Sequence, residues 1–197
     1  MIFMSTKEKE QPTREKILDA VFKLVYIHGY NGTSMAMILK ECGIPKGSLY
    51  HYFKSKKEMV LAVVKERINP RMDEFYQLDE ENTEEGIEAL IVAVLKVTKN
   101  EMLVSFGCPL NRLNQEMSPV DADFDEAIGK IYERLHTKIK KLLDNSQLKE
   151  GVDTTSLSEF IIATVWGSLS LSPQNSSTSR YFATINHLVS YLKSLKV

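Results

Sequence analysis

Between Thr33 and Lys57 the chain gathers side chains that can hold a polyanion. Hydroxyls stand at Thr33, Ser34 and Ser48, phenols at Tyr50 and Tyr52, an imidazole at His51, and ammonium groups at Lys46, Lys54 and Lys57. Hydroxyls and backbone N–H groups at the start of a helix bind phosphate. A lysine meets a phosphate or a base edge, and a tyrosine offers its hydroxyl to a phosphate and its ring to a thymine methyl. Gly47 would let the backbone come close to a ligand. Together these groups suit the groove and backbone of double-stranded DNA. The competing uses are ordinary ones: solvated charge for any single lysine, and core packing with one wet edge for Tyr50 or Tyr52.

The elements that must position them are legible in TSMAMILKECGIPKGSLYHYF, residues 33–53. Met35, Ile38, Leu39 and Cys42 fall at helical spacing and form one apolar face. Thr33 stands where an N-cap belongs. Gly43 supplies the freedom of a sharp turn, and Pro45 lies at or beside the first position of a second helix. Leu49 and Phe53, one turn apart, anchor that helix and leave Lys46, Gly47, Ser48, Tyr50, His51 and Tyr52 on or near its open side. Upstream, Thr13 opens a helix whose apolar face carries Ile17, Val21, Leu24 and Val25, with Gly29 as its stop. Downstream, Ser55 and Glu58 make a capping box that opens a further helix. Asn69-Pro70 is expected to break or kink that helix.

Thr13 to Val64 resembles the DNA-binding domain of the TetR family of bacterial transcriptional repressors. The matching pieces are TREKILDAVFKLVYIHGYNGTS, the two helices above, and FKSKKEMVLAVV, with GIPKGSLYHYFKSK the most diagnostic stretch. The resemblance implies an all-α protein: an N-terminal three-helix helix-turn-helix domain followed by a larger helical ligand-binding and dimerisation domain. It implies a regulator, a repressor in most such proteins, that binds a palindromic operator as a homodimer and is released by a small-molecule inducer. The expected division is a disordered tail over 1–12, the DNA-binding domain over 13–58 with the helix-turn-helix at about 34–53, and the regulatory body over 59–197.

Charge supports a two-part chain. The net charge is −1, but residues 1–70 hold 12 Lys or Arg against 7 Asp or Glu, and residues 71–197 hold 13 against 19. A basic front on an acidic body fits phosphate contact at one end. No apolar run reaches the ~18 residues of a membrane helix, and the opening residues have no apolar stretch of secretory type. A cytoplasmic protein without membrane contact is expected. The two cysteines, Cys42 and Cys108, are far apart and make no CxxC pair, so neither a disulfide framework nor a metal site is expected.

Beyond residue 70 the pattern is helical throughout, with expected helices from Thr83 through Thr98, over 109–117, 123–148, 157–171 and 181–195, and a polar loop over 172–179. No paired catalytic signature or glycine-rich phosphate loop appears, so no enzyme and no cofactor are expected. The resemblance implies an inducer among the middle helices. Candidate lining residues are Phe75, Met102, Phe106, Cys108, Met117, Tyr132, His136 and Trp166, each of which could equally be plain core. It also implies a dimer through the last two helices, for which Phe160, Ile161, Thr164, Ile185, Leu188, Val189 and Leu192 are the candidates. An alternative within the family is a redox or electrophile sensor using Cys108, whose thiol at a helix start would have a lowered pKa. Alternatives outside the family are an all-α enzyme and a helical interaction protein.

Overall fold

The structure is a computed structural model that describes residues 12–76, 86–171 and 178–197; of Asp73 to Tyr76, Thr98 and Glu101 it describes the backbone. The expected tail, the helix start at Thr83 and most of the polar loop over 172–179 lie outside the described residues. The described chain is helical and divides into two compact units, residues up to Val63 and from Val64 onward.

The first unit holds α1 (Thr13–Gly32), α2 (Met35–Cys42), α3 (Lys46–Tyr52) and α4 (Lys56–Val63). α1 packs on α2 and α4. Its core is Ile17, Leu18, Val21 and Val25 of α1, Ile38 of α2, Leu49 and Phe53 at α3, and Met59, Val60 and Val63 of α4, all buried. The apolar face of α4 closes on α1, which carries the unit to Val63. Regular helix ends at Gly29, whose φ of 75° turns the chain out of the α1 axis.

The second unit begins with a π-helical stretch, Val64–Ile68, that runs into α5 (Asn69–Tyr76). Of the expected break or kink at Asn69-Pro70, there is no break, and the helix is instead irregular just before it, as a π turn. A proline in a regular helix loses its bond to the carbonyl four residues back and clashes with it. Here that carbonyl is on Glu66, the wider π turn relieves the crowding, and Arg67 Nη1 donates to the Glu66 carbonyl at 3.2 Å. Arg71 Nη1 likewise reaches the Arg67 carbonyl at 2.8 Å.

The body continues with α6 (Gly86–Lys96), a 3₁₀ turn (Val97–Lys99), α7 (Glu101–Phe106), α8 (Pro109–Met117), α9 (Ala122–Asp144), α10 (Thr154–Leu171) and α11 (Thr178–Ser194). The long α9 packs on α6, α8 and α10, and α11 closes on α6 and α10. Phe124, Ile128, Leu135 and Ile139 form the buried stripe of α9, as its 3.6-residue spacing requires. A Cβ on Gly86 would overlap the Leu142 carbonyl, so glycine is what lets α6 start against α9. Tyr181, fully buried, ties α11 to α6 by donating to the Val94 carbonyl at 2.8 Å. After α11 the chain pairs back on the end of α9, with the Lys149 N–H donating to the Leu195 carbonyl at 2.9 Å. Lys196 also holds Glu88 Oε1 at 2.7 Å.

Candidate functional site

In the helix-turn-helix, Ser34 and not Thr33 caps α2. Ser34 Oγ accepts the Met37 N–H at 3.2 Å. Thr33 is fully buried, and its hydroxyl donates to the Gly29 carbonyl at 2.7 Å, closing the turn after α1. The expected N-cap is thus shifted by one residue, because the kink at Gly29 claims the Thr33 hydroxyl. The Thr33 backbone N–H is committed as well, to the Tyr30 carbonyl at 3.3 Å, so at this helix start the exposed Ser34 is the group open to an anion. At the other end of α2, Gly43 adopts the left-handed conformation at φ 62° and its N–H returns to the Leu39 carbonyl at 3.1 Å. This terminates α2 and turns the chain into α3.

Pro45 precedes the first turn of α3, and its carbonyl accepts the Ser48 N–H at 3.0 Å. Leu49 at 0% and Phe53 at 3% exposure pin the helix to the core. Lys46, Gly47, Tyr50, His51 and Tyr52 are exposed, and Ser48 is half-buried. Both tyrosines face solvent, at 42% and 41%, so neither is a core residue. Lys46 Nζ lies 5.8 Å from the centroid of the Tyr50 ring one turn on, and His51 and Tyr52 meet edge to face. At the start of α4, Ser55 Oγ accepts the Glu58 N–H at 3.1 Å. Glu58 Oε2 accepts the N–H of Lys54 at 2.7 Å, one residue earlier than the expected box. Lys54 is exposed beside α3 and Lys57 is half-buried.

In the body, three of the expected lining residues come together. The Tyr132 ring stacks over His136 with centroids 6.4 Å apart and meets Trp166 edge on at 5.7 Å. The Tyr132 hydroxyl donates to Glu159 Oε2, and His136 Nε2 lies 3.3 Å from the Thr155 carbonyl and 3.5 Å from Glu159 Oε1. Partial burial, reinforced by the Glu159 carboxylate, raises the Tyr132 pKa above its ordinary value. A wide, solvent-open cleft of about 710 Å³ lies between α8, α10 and α11, where Asn111, Gln115, Trp166, Ser170 and Thr184 meet Ala163, Gly167 and Leu171 of the outer α10 face. Its volume matches small-molecule sites, but it does not enclose a ligand as such sites do. Trp166 Nε1 is buried with no hydrogen-bond partner among the described residues. Gln115 Nε2 donates to Asn111 Oδ1 at 3.2 Å, and Asn111 Nδ2 donates to Ser170 Oγ at 3.0 Å. Of the expected lining residues only Trp166 is on this cleft. Met117 is core, Phe106 half-buried and Met102 exposed, while the Phe75 side chain lies outside the described ones. Asn111 gave no distinct signal in the sequence, since its burial beside Leu110 and Leu113 is set by the fold.

Cys108 occupies the N-cap position of α8, but its thiol is buried. Burial pushes its pKa up to about 11, against a smaller lowering by the Asn111 and Leu110 N–H groups. The expected lowering is thus reversed, since desolvation disfavours the thiolate more than the helix start favours it. Of the expected dimer residues, Ile161, Ile185, Leu188 and Leu192 lie in the core of the unit itself. Thr164 and Val189 are half-buried, and Phe160 is exposed and packs edge to face on Tyr191. The outward face of the pair instead carries Phe160, Ala163, Gly167 and Leu171 on α10, with Phe182, Ala183 and Tyr191 on α11.

Among the described residues no helix is long and apolar enough to cross a membrane. The second helix of a helix-turn-helix DNA-binding domain is a short helix of this kind. The profile of the bacterial regulatory proteins of the tetR family matches residues 17–63. An uncharacterized HTH-type transcriptional regulator from the lacX 3' region of Lactococcus lactis is 33% identical over 173 residues, covering 81% of this chain and 82% of that protein. The chain belongs to the TetR family of transcriptional regulators. The HTH-type transcriptional repressor NemR of Escherichia coli K12 is 28% identical over 144 residues, covering 72% of each chain. The crystal structure of a TetR transcriptional regulator from Chloroflexus aurantiacus J-10-FL superposes with a TM-score of 0.82 at 20% identity. It covers 93% of this chain and 95% of that one.

Proposed function

We propose that this chain is a repressor that binds a palindromic operator as a homodimer and releases it when a small molecule occupies the second unit. The observation that carries the reading is α3, fixed by Leu49 and Phe53 with its Lys46-to-Tyr52 face open to solvent. Lys46, Gly47, Ser48, Tyr50, His51 and Tyr52 would enter the major groove. Ser34, Lys54 and Lys57 would hold phosphates on either side. Successive major grooves lie about 34–36 Å apart, so two copies related by a two-fold axis are needed to read a palindrome. The exposed apolar face of α10 and α11 supports that pairing.

The cleft between α8, α10 and α11 shares Ala163, Gly167 and Leu171 with that face, so pairing of two copies would cover it, and an effector held there would meet only uncharged amides, hydroxyls and an indole. Such a molecule acts by preferring one of two arrangements of the dimer, and its differential affinity sets the size of the response. The test is selection from random duplexes at near-physiological salt, followed by sequencing. An enriched inverted repeat supports the reading. A folded dimer that enriches nothing, alone or with cell extract, sinks it.

A further inference from the structure

Three lysines follow the recognition helix, and they do not stand alike. Lys54 is exposed, whereas Lys56 Nζ turns inward, 2.9 Å from the Tyr30 carbonyl and 3.0 Å from the Thr33 carbonyl. It also lies 4.1 Å from the centroid of the Tyr30 ring. These partners belong to the turn between α1 and α2. The last carbonyls of a helix have no intrahelical donor and carry the negative end of its dipole. The last turn of α1 contains no basic residue. Lys56 brings a cation to that end from another helix. In its own helix the placement is unfavourable, since a cation in the first turn of α4 opposes the dipole there.

We propose that Lys56 is a positioning residue for DNA recognition: it fixes the α1–α2 turn, and through it the N-terminus of α2, and takes no phosphate itself. The turn's own bonds are short-range. Gly29 leaves the helix at φ 75°, the Thr33 hydroxyl reaches back to Gly29, and the Thr33 N–H shares the Tyr30 carbonyl at 3.3 Å. Ser34, which starts α2, follows immediately. An ammonium has three protons; two carbonyls and a ring engage the Lys56 head from the side facing the turn. A phosphate contact loses affinity alike on every sequence and releases fewer counterions when removed. A residue that sets the angle of the helix pair acts on the specific complex alone.

This inference rests on the DNA-binding reading above. The test uses the full chain, the palindrome recovered by selection and a scrambled duplex of equal length, with binding followed by fluorescence anisotropy across salt. Lys56→Met is expected to weaken palindrome binding tenfold or more. Scrambled-duplex binding stays within twofold, and the slope of log affinity against log salt is unchanged. Lys56→Arg, whose guanidinium can span two carbonyls and stack on a ring, recovers most of the loss. Lys54→Met, the comparison, weakens both duplexes equally and reduces the slope by ~0.9. Equal loss on both duplexes with a reduced slope for Lys56→Met would make Lys56 a phosphate contact and overturn the proposal. So would palindrome affinity within twofold of wild type. Circular dichroism at the assay temperature shows whether the variant is folded. If it is not, Tyr30→Leu, which removes only the ring, carries the same test with the same opposing outcomes. A wild-type chain that does not prefer the palindrome refutes the DNA-binding reading instead.

Discussion

The buried Cys108 thiol should be inert in the folded protein, and the chain offers a clean way to measure this. Its only other cysteine is Cys42, so Cys42→Ser leaves one reporter. Burial holds Cys108 at a pKa of about 11. At pH 7.5 a thiol of ordinary pKa is ~10% thiolate, and the thiolate is the reactive form. With the pKa at about 11 the thiolate fraction falls ~300-fold before any steric protection is counted. The assay is reaction with an aromatic disulfide, followed by absorbance, in native protein and in denaturant. The native rate should be at least about two orders of magnitude below the denatured rate, and should rise about tenfold per pH unit between roughly pH 6.5 and 9 with no plateau. The raised pKa also has a stability consequence. The folded-state value lies above the unfolded one, so the contribution is complete below the unfolded value and lost as pH rises toward about 11. That loss is at most roughly 3 kcal/mol, since a tenfold change in an acidity constant is worth about 1.4 kcal/mol. A native rate close to that of the denatured chain, or a plateau near neutral pH, would refute the burial argument and revive Cys108 as a sensor.

Three further outcomes follow from named contacts. Lys46→Ala should weaken operator and scrambled duplex alike and reduce the salt slope by ~0.9 if Lys46 meets a phosphate; a loss confined to the operator would place it on a base edge. Ser34→Ala should lower the melting stability of the protein by about 1 kcal/mol, the usual worth of an N-cap, and a thermal melt identical to wild type would remove Ser34 from that role. An alanine Cβ at Gly167 meets nothing within 4 Å in the monomer. Gly167→Glu should therefore leave the helical signal intact while placing a charge on the exposed α10 face. Sedimentation should show a shift from dimer to monomer, and an unchanged dimer would move the interface elsewhere.

The helix-turn-helix was legible in the sequence because its determinants are local. Glycine at 43, proline at 45 and an apolar pair at 49 and 53 constrain their own neighbourhood, and the structure places each where that logic requires. The stop at Gly29 and the serine cap at Ser55 are local in the same sense. Helical periodicity likewise anticipated α8 to α11 to within about three residues at most ends. The Asn69-Pro70 signal was also local, and it marked an irregular π turn rather than a break, because that turn and the Arg67 side chain supply from nearby what proline withholds.

What only the tertiary structure decided is which side of each element faces inward, and which distant group answers which. Ile161, Ile185, Leu188 and Leu192 share their pattern with any apolar interface, and only the packing of α10 on α11 and α6 assigns them to the unit's own core. Cys108 reads as an activated thiol by its position at a helix start, but its pKa is set by desolvation from residues far away in the chain. Thr33 and Ser34 are equally good caps by type, and the kink at Gly29 chooses between them. Lys56 looks like its neighbours Lys54 and Lys57 and is separated from them only by carbonyls 23 and 26 residues earlier. Residue type and spacing determine local conformation because the forces that set it act within a turn or two. Burial and long-range pairing depend on the whole fold, and there a lysine becomes a brace or a contact.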